Sequence, residues 1–278
     1  MRVLDWSHFM EGALLDRSVK EGTAMTVGVF DGVHRGHQAL IGKIVQRAPG
    51  CIPTVITFRQ NPKKVLRSGE YRGDIVGLDR KMVIFEALGV ELVILIDFSG
   101  DFSKLDGRDF IGFLKSRGRL NFLAVGSNFR CGYGLDTGVP EIKKLNPETE
   151  VVPPVMEGGI PVSSSRIREA VFSGDLDKAA LLLGRKVEID LAGLSPRPKP
   201  GGLFYEARSH YRILPPPGRY TVIFYEFPKS GGMETEVLVE GGGVFIPSLN
   251  QADRIEFRKG PASKGRFLKP DLEKAAKP

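Results

Sequence analysis

Two short segments of this chain bring together residue types that hold and polarise phosphate. The first, residues 28–37, reads GVFDGVHRGH and runs directly into an amphipathic stretch. His34 and His37 lie three residues apart, and each imidazole can donate a hydrogen bond to an anion. Gly32 and Gly36 let the backbone approach a ligand closely. A helix opening at residues 36–37 adds unpaired N–H groups and a partial positive charge. With Gly28, Phe30 and Asp31, these glycines are the candidate nucleotide-binding positions around two candidate catalytic histidines. The second segment, residues 163–168, reads SSSRIR. Serines before an amphipathic stretch cap a helix in any case. Here the same helix N-terminus, with its hydroxyls and Arg168, can also grip phosphates.

Neither segment is a common nucleotide loop. The GxxxxGK[ST] pattern is missing, and residues 132–138 (GYGLDTG) space their glycines wrongly for a dinucleotide fingerprint. A lone His-x-Gly-His reads equally well as a loop with two exposed histidines, so its setting decides. Residues 25–30, 53–58, 91–97 and 121–126 are short, rich in Val, Ile and Phe, and bounded by turn residues, which predicts strands. Residues 150–156 form a fifth candidate whose prolines confine it to an edge or a strand end. Between them, residues 37–47 place Leu40, Ile41, Ile44 and Val45 on one helical face. Residues 79–88 repeat the pattern up to Gly89, and Phe110, Ile111 and Leu114 mark a third helix. Strands alternating with helices predict a parallel α/β sheet of Rossmann type with right-handed crossovers. Ligands bind at the carboxyl ends of such strands, where the first segment lies.

Beyond residue 185 the pattern changes. Residues 195–202 (SPRPKPGG) read as loop and 215–218 (PPPG) as turn. Residues 220–227, 234–239 and 244–246 read as strands separated by glycines, predicting a small β-barrel-like unit over 186–278 after an α/β unit over 1–185. The end, from residue 259, reads as a solvated tail or short helix.

Composition narrows the function classes. At 278 residues, with 41% hydrophobic and 26% charged, the chain can bury a core without staples. Cys51 and Cys131 cannot build a disulfide framework, and no Cys/His cluster has zinc spacing. No apolar run approaches transmembrane length, and the N-terminus lacks the apolar stretch of a signal peptide, so a cytoplasmic protein without a membrane role is expected. The net charge of +7 divides into +3 over residues 1–185 and +4 over 186–278, with no basic run of five. No nucleic-acid partner is expected, and phosphate-bearing small molecules fit the charge equally well.

The sequence GVFDGVHRGHQALI resembles the signature of bacterial FAD synthetases, members of the HxGH nucleotidylyltransferases. The resemblance continues in order through residues 55–66, 77–98, 123–134 and 162–185. It implies transfer of AMP from ATP to FMN, giving FAD and pyrophosphate, with Mg²⁺ held mainly through the phosphates rather than by protein ligands. It assigns His34 and His37 to the phosphates and the transition state, and Ser164, Ser165 and Arg168 to the β- and γ-phosphates, leaving Arg166 toward solvent. The flavin would lie at neighbouring strand ends, where Phe58, Asn61, Asn128 and Phe129 can supply aromatic walls and amide partners, although each phenylalanine suits a core equally. Two departures fall in that region: Asn61 stands where family members often have His, and Cys131 where they often have Phe.

The usual bacterial enzyme also carries a riboflavin kinase barrel. Its Gly-rich turn and Pro-Thr-Ala-Asn stretch are missing from residues 186–278, while PPPGRYTV faintly resembles a later strand entry. A shortened, kinase-dead barrel is expected, with Glu226 and Glu256 read as ordinary surface residues. Three other readings stay open: a bifunctional enzyme with a divergent kinase site, an HxGH transferase with another phosphate acceptor, and a non-catalytic flavin- or nucleotide-binding regulator.

Overall fold

The computed structural model describes residues 1–14, 22–98, 101–226 and 231–258, so the expected tail from residue 259 lies outside the described residues. The helices are α1 (Trp6–Met10), α2 (Arg35–Val45), α3 (Pro62–Leu66), α4 (Leu78–Ala87), α5 (Gly107–Ser116), α6 (Val139–Leu145), α7 (Ser164–Phe172) and α8 (Leu176–Leu183). The first sheet takes β1 (Arg2–Asp5), β2 (Thr23–Val27), β3 (Ile52–Phe58), β4 (Leu92–Ile96), β5 (Leu120–Gly126) and, beyond the short pair β6 (Arg130–Cys131) and β7 (Thr137–Gly138), β8 (Thr149–Val152).

This sheet is six-stranded and parallel throughout, in the order β1-β4-β3-β2-β5-β8. Its central strands β4, β3, β2 and β5 are largely buried on both faces, as a parallel sheet requires. Ala24, Val55, Val93 and Phe122 pack under α2 and α4 through Ile41, Ile44, Ile84 and Phe85. The alternate residues Met25, Ile56, Ile94 and Leu123 pack with Phe110, Ile111 and Leu114 of α5. The predicted edge position of the fifth strand holds, since β8 closes the sheet. The strand β1 pairs with β4 at the other edge and was not foreseen, because four residues with no alternation are too short to signal a strand. From β2 the chain winds first toward β3 and β4 and later crosses to β5, so the sheet's switch point lies at the carboxyl end of β2.

After the hairpin of β9 (Met156–Glu157) and β10 (Ile160–Pro161) and the pair α7–α8, the second unit is a curled antiparallel sheet. It comprises β11 (Glu188–Asp190), β12 (Arg197–Lys199), β13 (Gly202–Tyr205), β14 (Gly218–Glu226), β15 (Gly232–Glu240), β16 (Gly243–Ile246) and β17 (Ala252–Phe257). Its order is β11-β17-β14-β15-β16-β13-β12. The loop expected at 195–202 is partly strand: Arg197–Lys199 turns back on β13 at the sheet edge, where Pro198 removes no ladder bond that the fold needs. Glu226 is buried rather than superficial and accepts a hydrogen bond from Asn250 Nδ2 at 2.8 Å.

The two units share one core. Ile75 and Val76 of the first unit, Ile167, Val171, Leu182 and Leu183 of α7–α8, and Tyr220, Val222, Ile255 and Phe257 of the second belong to a single buried cluster. At this seam the buried Glu188 meets three arginines: Arg80 at 3.0 Å, Arg185 at 3.5 Å and Arg254 at 3.9 Å. Gly77 sits against the Asp190 carboxylate and the Arg212 guanidinium so closely that a Cβ there would overlap both. Among the described residues no helix is long and apolar enough to cross a membrane.

Removing the one carboxylate from the Glu188 hub leaves uncompensated buried cations, a change worth about 3 kcal/mol or more. Glu188→Gln is therefore expected to lower the melting temperature by roughly 10 °C in a chain of this size. An unchanged thermal melt by circular dichroism would show that the hub adds nothing to the joining of the units.

Candidate active site

The loop after β2 is bent by three left-handed residues, Phe30 (φ 50°), Gly32 (φ 79°) and Val33 (φ 40°). For the two non-glycines this conformation costs about 1–2 kcal/mol each. Full burial of both side chains offsets the cost, with Phe30 meeting Phe85 edge-on at 5.6 Å. The bend delivers His34 to the N-cap of α2, where its Nδ1 accepts the backbone N–H of His37 at 3.4 Å. An accepting Nδ1 leaves the imidazole proton on Nε2, where it can be donated. The two rings stack with centroids 3.6 Å apart, and Phe30 backs His37 edge-on at 5.1 Å. Gly36 makes room for this, since a Cβ there would press to 3.2 Å against the His34 ring.

A second helix N-terminus meets the same loop. Ser163 caps α7 by accepting the Arg166 N–H at 3.4 Å. Ser164 Oγ donates to the Asp31 carbonyl at 2.9 Å. One turn on, Arg168 forms an ion pair with the Asp31 carboxylate and donates twice to the Gly73 carbonyl, at 2.9 and 3.0 Å. The other Asp31 carboxylate oxygen accepts the Ile75 N–H at 2.9 Å. Ser165 is exposed and has no side-chain partner among the described residues, which leaves its hydroxyl available. Arg166 does not face solvent as expected: it donates to the carbonyls of Ile160 at 2.7 Å, Pro161 at 2.8 Å and Glu157 at 3.3 Å. The short hairpin folded over the start of α7 presents unpaired carbonyls there, and a guanidinium can satisfy several at once.

Burial dominates the electrostatics. It pulls the His34 pKa down to about 4, with Arg185 adding to the effect. Burial, then His34, Lys81 and Arg185, hold His37 well below its ordinary value, so both rings are neutral donors at pH 7. The Nδ1 of His37 is buried without a hydrogen bond. Burial raises the Asp31 carboxyl while Arg168 opposes the rise. Burial lowers Lys81, opposed by Asp31 and Asp74, and its Nζ donates to the Val29 carbonyl at 3.3 Å. Arg185 donates to the Val33 carbonyl at 3.3 Å, while its Nη2 is buried without a hydrogen bond. Two helix N-termini, two neutral donors and three cations thus surround one loop, an arrangement suited to a polyanion.

The sequence profile of FAD synthetases matches residues 16–166, just over half of the chain. The chain belongs to the FAD synthetase family. It is 30% identical over 182 residues to the bifunctional riboflavin kinase/FMN adenylyltransferase of Escherichia coli (strain K12), covering 63% of this chain and 58% of that protein. With the protein of the same name from Bacillus subtilis (strain 168) it shares 32% identity over 169 residues, covering 59% and 54%. The match thus spans less than two thirds of those relatives' length. A solved structure described as a macrolide-efflux protein from Streptococcus pneumoniae superposes with a TM-score of 0.77 over 98% of this chain and 94% of that one. At 21% identity that likeness is one of fold, and it extends through both units.

In this FAD synthetase family member the four flavin candidates flank β2, two on either side. Phe58 ends β3, half-buried, with edge contacts to Phe98 at 5.9 Å and Phe102 at 6.1 Å. Asn61 is buried and caps α3, accepting the Lys63 N–H at 3.1 Å. Asn128 is exposed after β5, and the half-buried Phe129 packs on the sheet's second core. Among the described residues no ring contact or hydrogen bond joins the two pairs. Nearby Cys131 is buried enough to push its thiol up to about 12, with Asp136 adding to the rise. Sequence reasoning missed Lys81 and Arg185. In sequence the stretch around Lys81 shows chiefly its apolar face and Arg185 only ends the α/β unit, although a lysine on a predicted core-facing helix is itself a signal.

His34 titrates near 6.5 when unfolded and about 4 when folded, so between these values the unfolded chain binds the extra proton and stability falls as the pH drops. At about 1.36 kcal/mol per pKa unit the loss across that window approaches roughly 3 kcal/mol. Because Asn is also a good N-cap, His34→Asn should match the parent stability at pH 7 within about 1 kcal/mol. It should also lose part of the parent's decline between pH 6.5 and 4. Chemical denaturation across that range measures both, and identical pH profiles would sink the assignment.

Proposed function

We propose that this chain transfers AMP from ATP to the phosphate of FMN, giving FAD and pyrophosphate, and that it does not phosphorylate riboflavin. The reading rests above all on one arrangement, the stacked neutral His34–His37 pair at the N-terminus of α2, tied through Asp31 to Ser164 and Arg168 on α7. In the reaction a phosphate oxygen of FMN forms a bond to the α-phosphorus of ATP as the bond from that phosphorus to the bridging oxygen breaks. The electron pair leaves with pyrophosphate, and no proton has to be abstracted. The work of the protein is then positioning and charge stabilisation. The Nε2–H of His34 and the ring of His37 donate to phosphate oxygens. The α7 N-terminus, with Ser165 and Arg168, holds the leaving pyrophosphate. Phe58, Asn61, Asn128 and Phe129 are the proposed flavin contacts, and Gly28, Phe30, Asp31, Gly32 and Gly36 shape the nucleotide loop.

Among the described residues no cluster of three or more His, Cys, Asp or Glu can hold a metal ion. Asp31 is committed to Arg168 and Ile75. A Mg²⁺ held mainly through phosphate oxygens is part of the proposal, and it would supply further neutralisation of the polyphosphate. Both substrates are cytoplasmic metabolites, and the cytoplasm is the proposed compartment.

The test pairs two reactions, FMN or riboflavin with ATP and Mg²⁺, with flavins separated by chromatography. FAD from FMN alone supports the proposal. FAD or FMN formed from riboflavin at enzymatic rates would show a kinase site within residues 186–278, and no product from either would end the adenylyl-transfer reading. His37→Ala should lower turnover about 10²–10³-fold, the usual cost of losing one preorganised donor, while the protein stays folded.

A further inference from the structure

The seam between the units carries a feature that adenylyl transfer leaves unused. A concave space of about 510 Å³ opens beside the 71–73 segment, walled by Tyr71, Arg72 and Phe172 on one side and Arg208, Tyr211 and Arg212 on the other. That volume lies within the range of small-molecule sites, which favour such junctions. Neither histidine and none of the serines of the anion site lines it.

Three features of its lining point to one ligand chemistry. First, Arg72 and Arg208 have no acceptor among the described residues, whereas Arg212 is held by Asp190 at 3.4 Å. Second, the Tyr71 and Tyr211 rings lie 5.6 Å apart and tilted, and Tyr211 is 44% exposed with Lys64 Nζ over its ring at 3.9 Å. Third, Tyr211 is held at φ 58°, a conformation that a large residue rarely adopts, and the Tyr71 hydroxyl is buried beside Asp74 without a well-formed hydrogen bond. Two aromatic rings, two guanidinium groups without an acceptor among the described residues and a phenol beside them suit a flat ring bearing phosphate. Two carboxylates act on the Tyr71 phenol, Asp74, which follows the lining residue Gly73, and Asp31, and both add to the rise that burial causes.

The cleft is also wired to the anion site. Asp74 N–H donates to the Tyr211 carbonyl at 2.6 Å and Ile213 N–H to the Asp74 carbonyl at 3.3 Å. The carbonyl of Gly73, one residue earlier, holds Arg168. Phe172 stands one helical turn beyond Arg168 on α7.

We propose that this interdomain cleft is a second binding site, separate from the adenylylation centre, for a phosphorylated planar ring such as a flavin or adenine nucleotide. The phosphate sits on Arg72 and Arg208 and the ring against Tyr71 and Tyr211. Binding there is independent of whether the chain makes FAD.

The test is equilibrium binding to the full chain, with FMN and ADP as probes and with riboflavin and inorganic phosphate as controls for ring and anion alone. Wild-type protein should bind two equivalents of at least one nucleotide and His37→Ala should keep one of them. Arg72→Gln/Arg208→Gln should lose the other, weakened at least tenfold, with the melting temperature and the initial rate of FAD formation at low nucleotide unchanged. Riboflavin and phosphate should each bind at least tenfold more weakly than the preferred nucleotide. Which of FMN and ADP loses the second equivalent identifies the ring. If the double variant melts early, Tyr211→Leu replaces it and should lose the same equivalent. One equivalent in wild type, or two that survive both cleft variants, overturns the proposal. Failure of the paired reactions described above, with two equivalents still bound, would remove the enzymatic reading and leave this one standing.

Discussion

The Asp31–Arg168 ion pair organises this molecule. Asp31 belongs to the bent loop after β2, Arg168 to the helix capped by Ser163, and both are anchored on the backbone of residues 73–75. Neither partner has a ready substitute. Arg168 gives its Nε and Nη2 donors to Gly73 and Asp31, and the two Asp31 carboxylate oxygens accept from Arg168 and Ile75. A buried carboxylate of this kind is tolerated because one oxygen meets a cation and the other a backbone amide. The two helix N-termini are thereby fixed relative to one another, and in the proposed reaction a phosphate chain held by one would be presented to the other.

The same segment explains why the second unit is packed so tightly. Residues 73–75 carry the anion site on one edge and meet residues 211–213 of the second unit on the other. Helices α7 and α8 bury their apolar faces in a core that includes strands of the antiparallel sheet. The second unit is therefore part of the support of Arg168, whatever else it does. A loose attachment would leave Glu188 and its three arginines facing solvent and the 73–75 segment with one side unpaired.

Most of this architecture was legible from sequence because it is periodic or punctuated. The parallel strands announce themselves as short runs of Val and Ile, and α2 by Ile41 and Ile44 at helical spacing. The serine cap and the histidine pair are local, so their placement follows from the elements around them. What could not be read is whatever depends on residues far apart in the chain. The roles of Arg168 as partner of Asp31, of Arg166 as a clip on the β9–β10 hairpin, and of Arg185 beside Val33 are settled by tertiary approach across more than 100 residues in two of the three cases. The strand Arg197–Lys199 escaped because its composition, with a proline and flanking glycines, is that of a loop, and only pairing with β13 makes it a strand.

The neutrality of the histidines fits the proposed chemistry in a specific way. Attack of one phosphate on another brings negative charge toward negative charge, which favours cations nearby, yet fixed cations also hold the pyrophosphate product and slow its release. Of the three cations at the loop, Arg168 is already paired with Asp31, and the imidazoles carry no charge at pH 7. A triphosphate entering the loop must compete with Asp31 for Arg168, which weakens ground-state binding. Charge that develops as the bridging oxygen departs can draw the guanidinium from the carboxylate and deepen the hydrogen bonds from both rings. In the proposed reaction the site would then be modest toward the substrate and stronger toward the transition state, the differential that catalysis requires. It would also tie the strength of that response to the 73–75 segment, because the carbonyl of Gly73 accepts from Arg168 independently of Asp31.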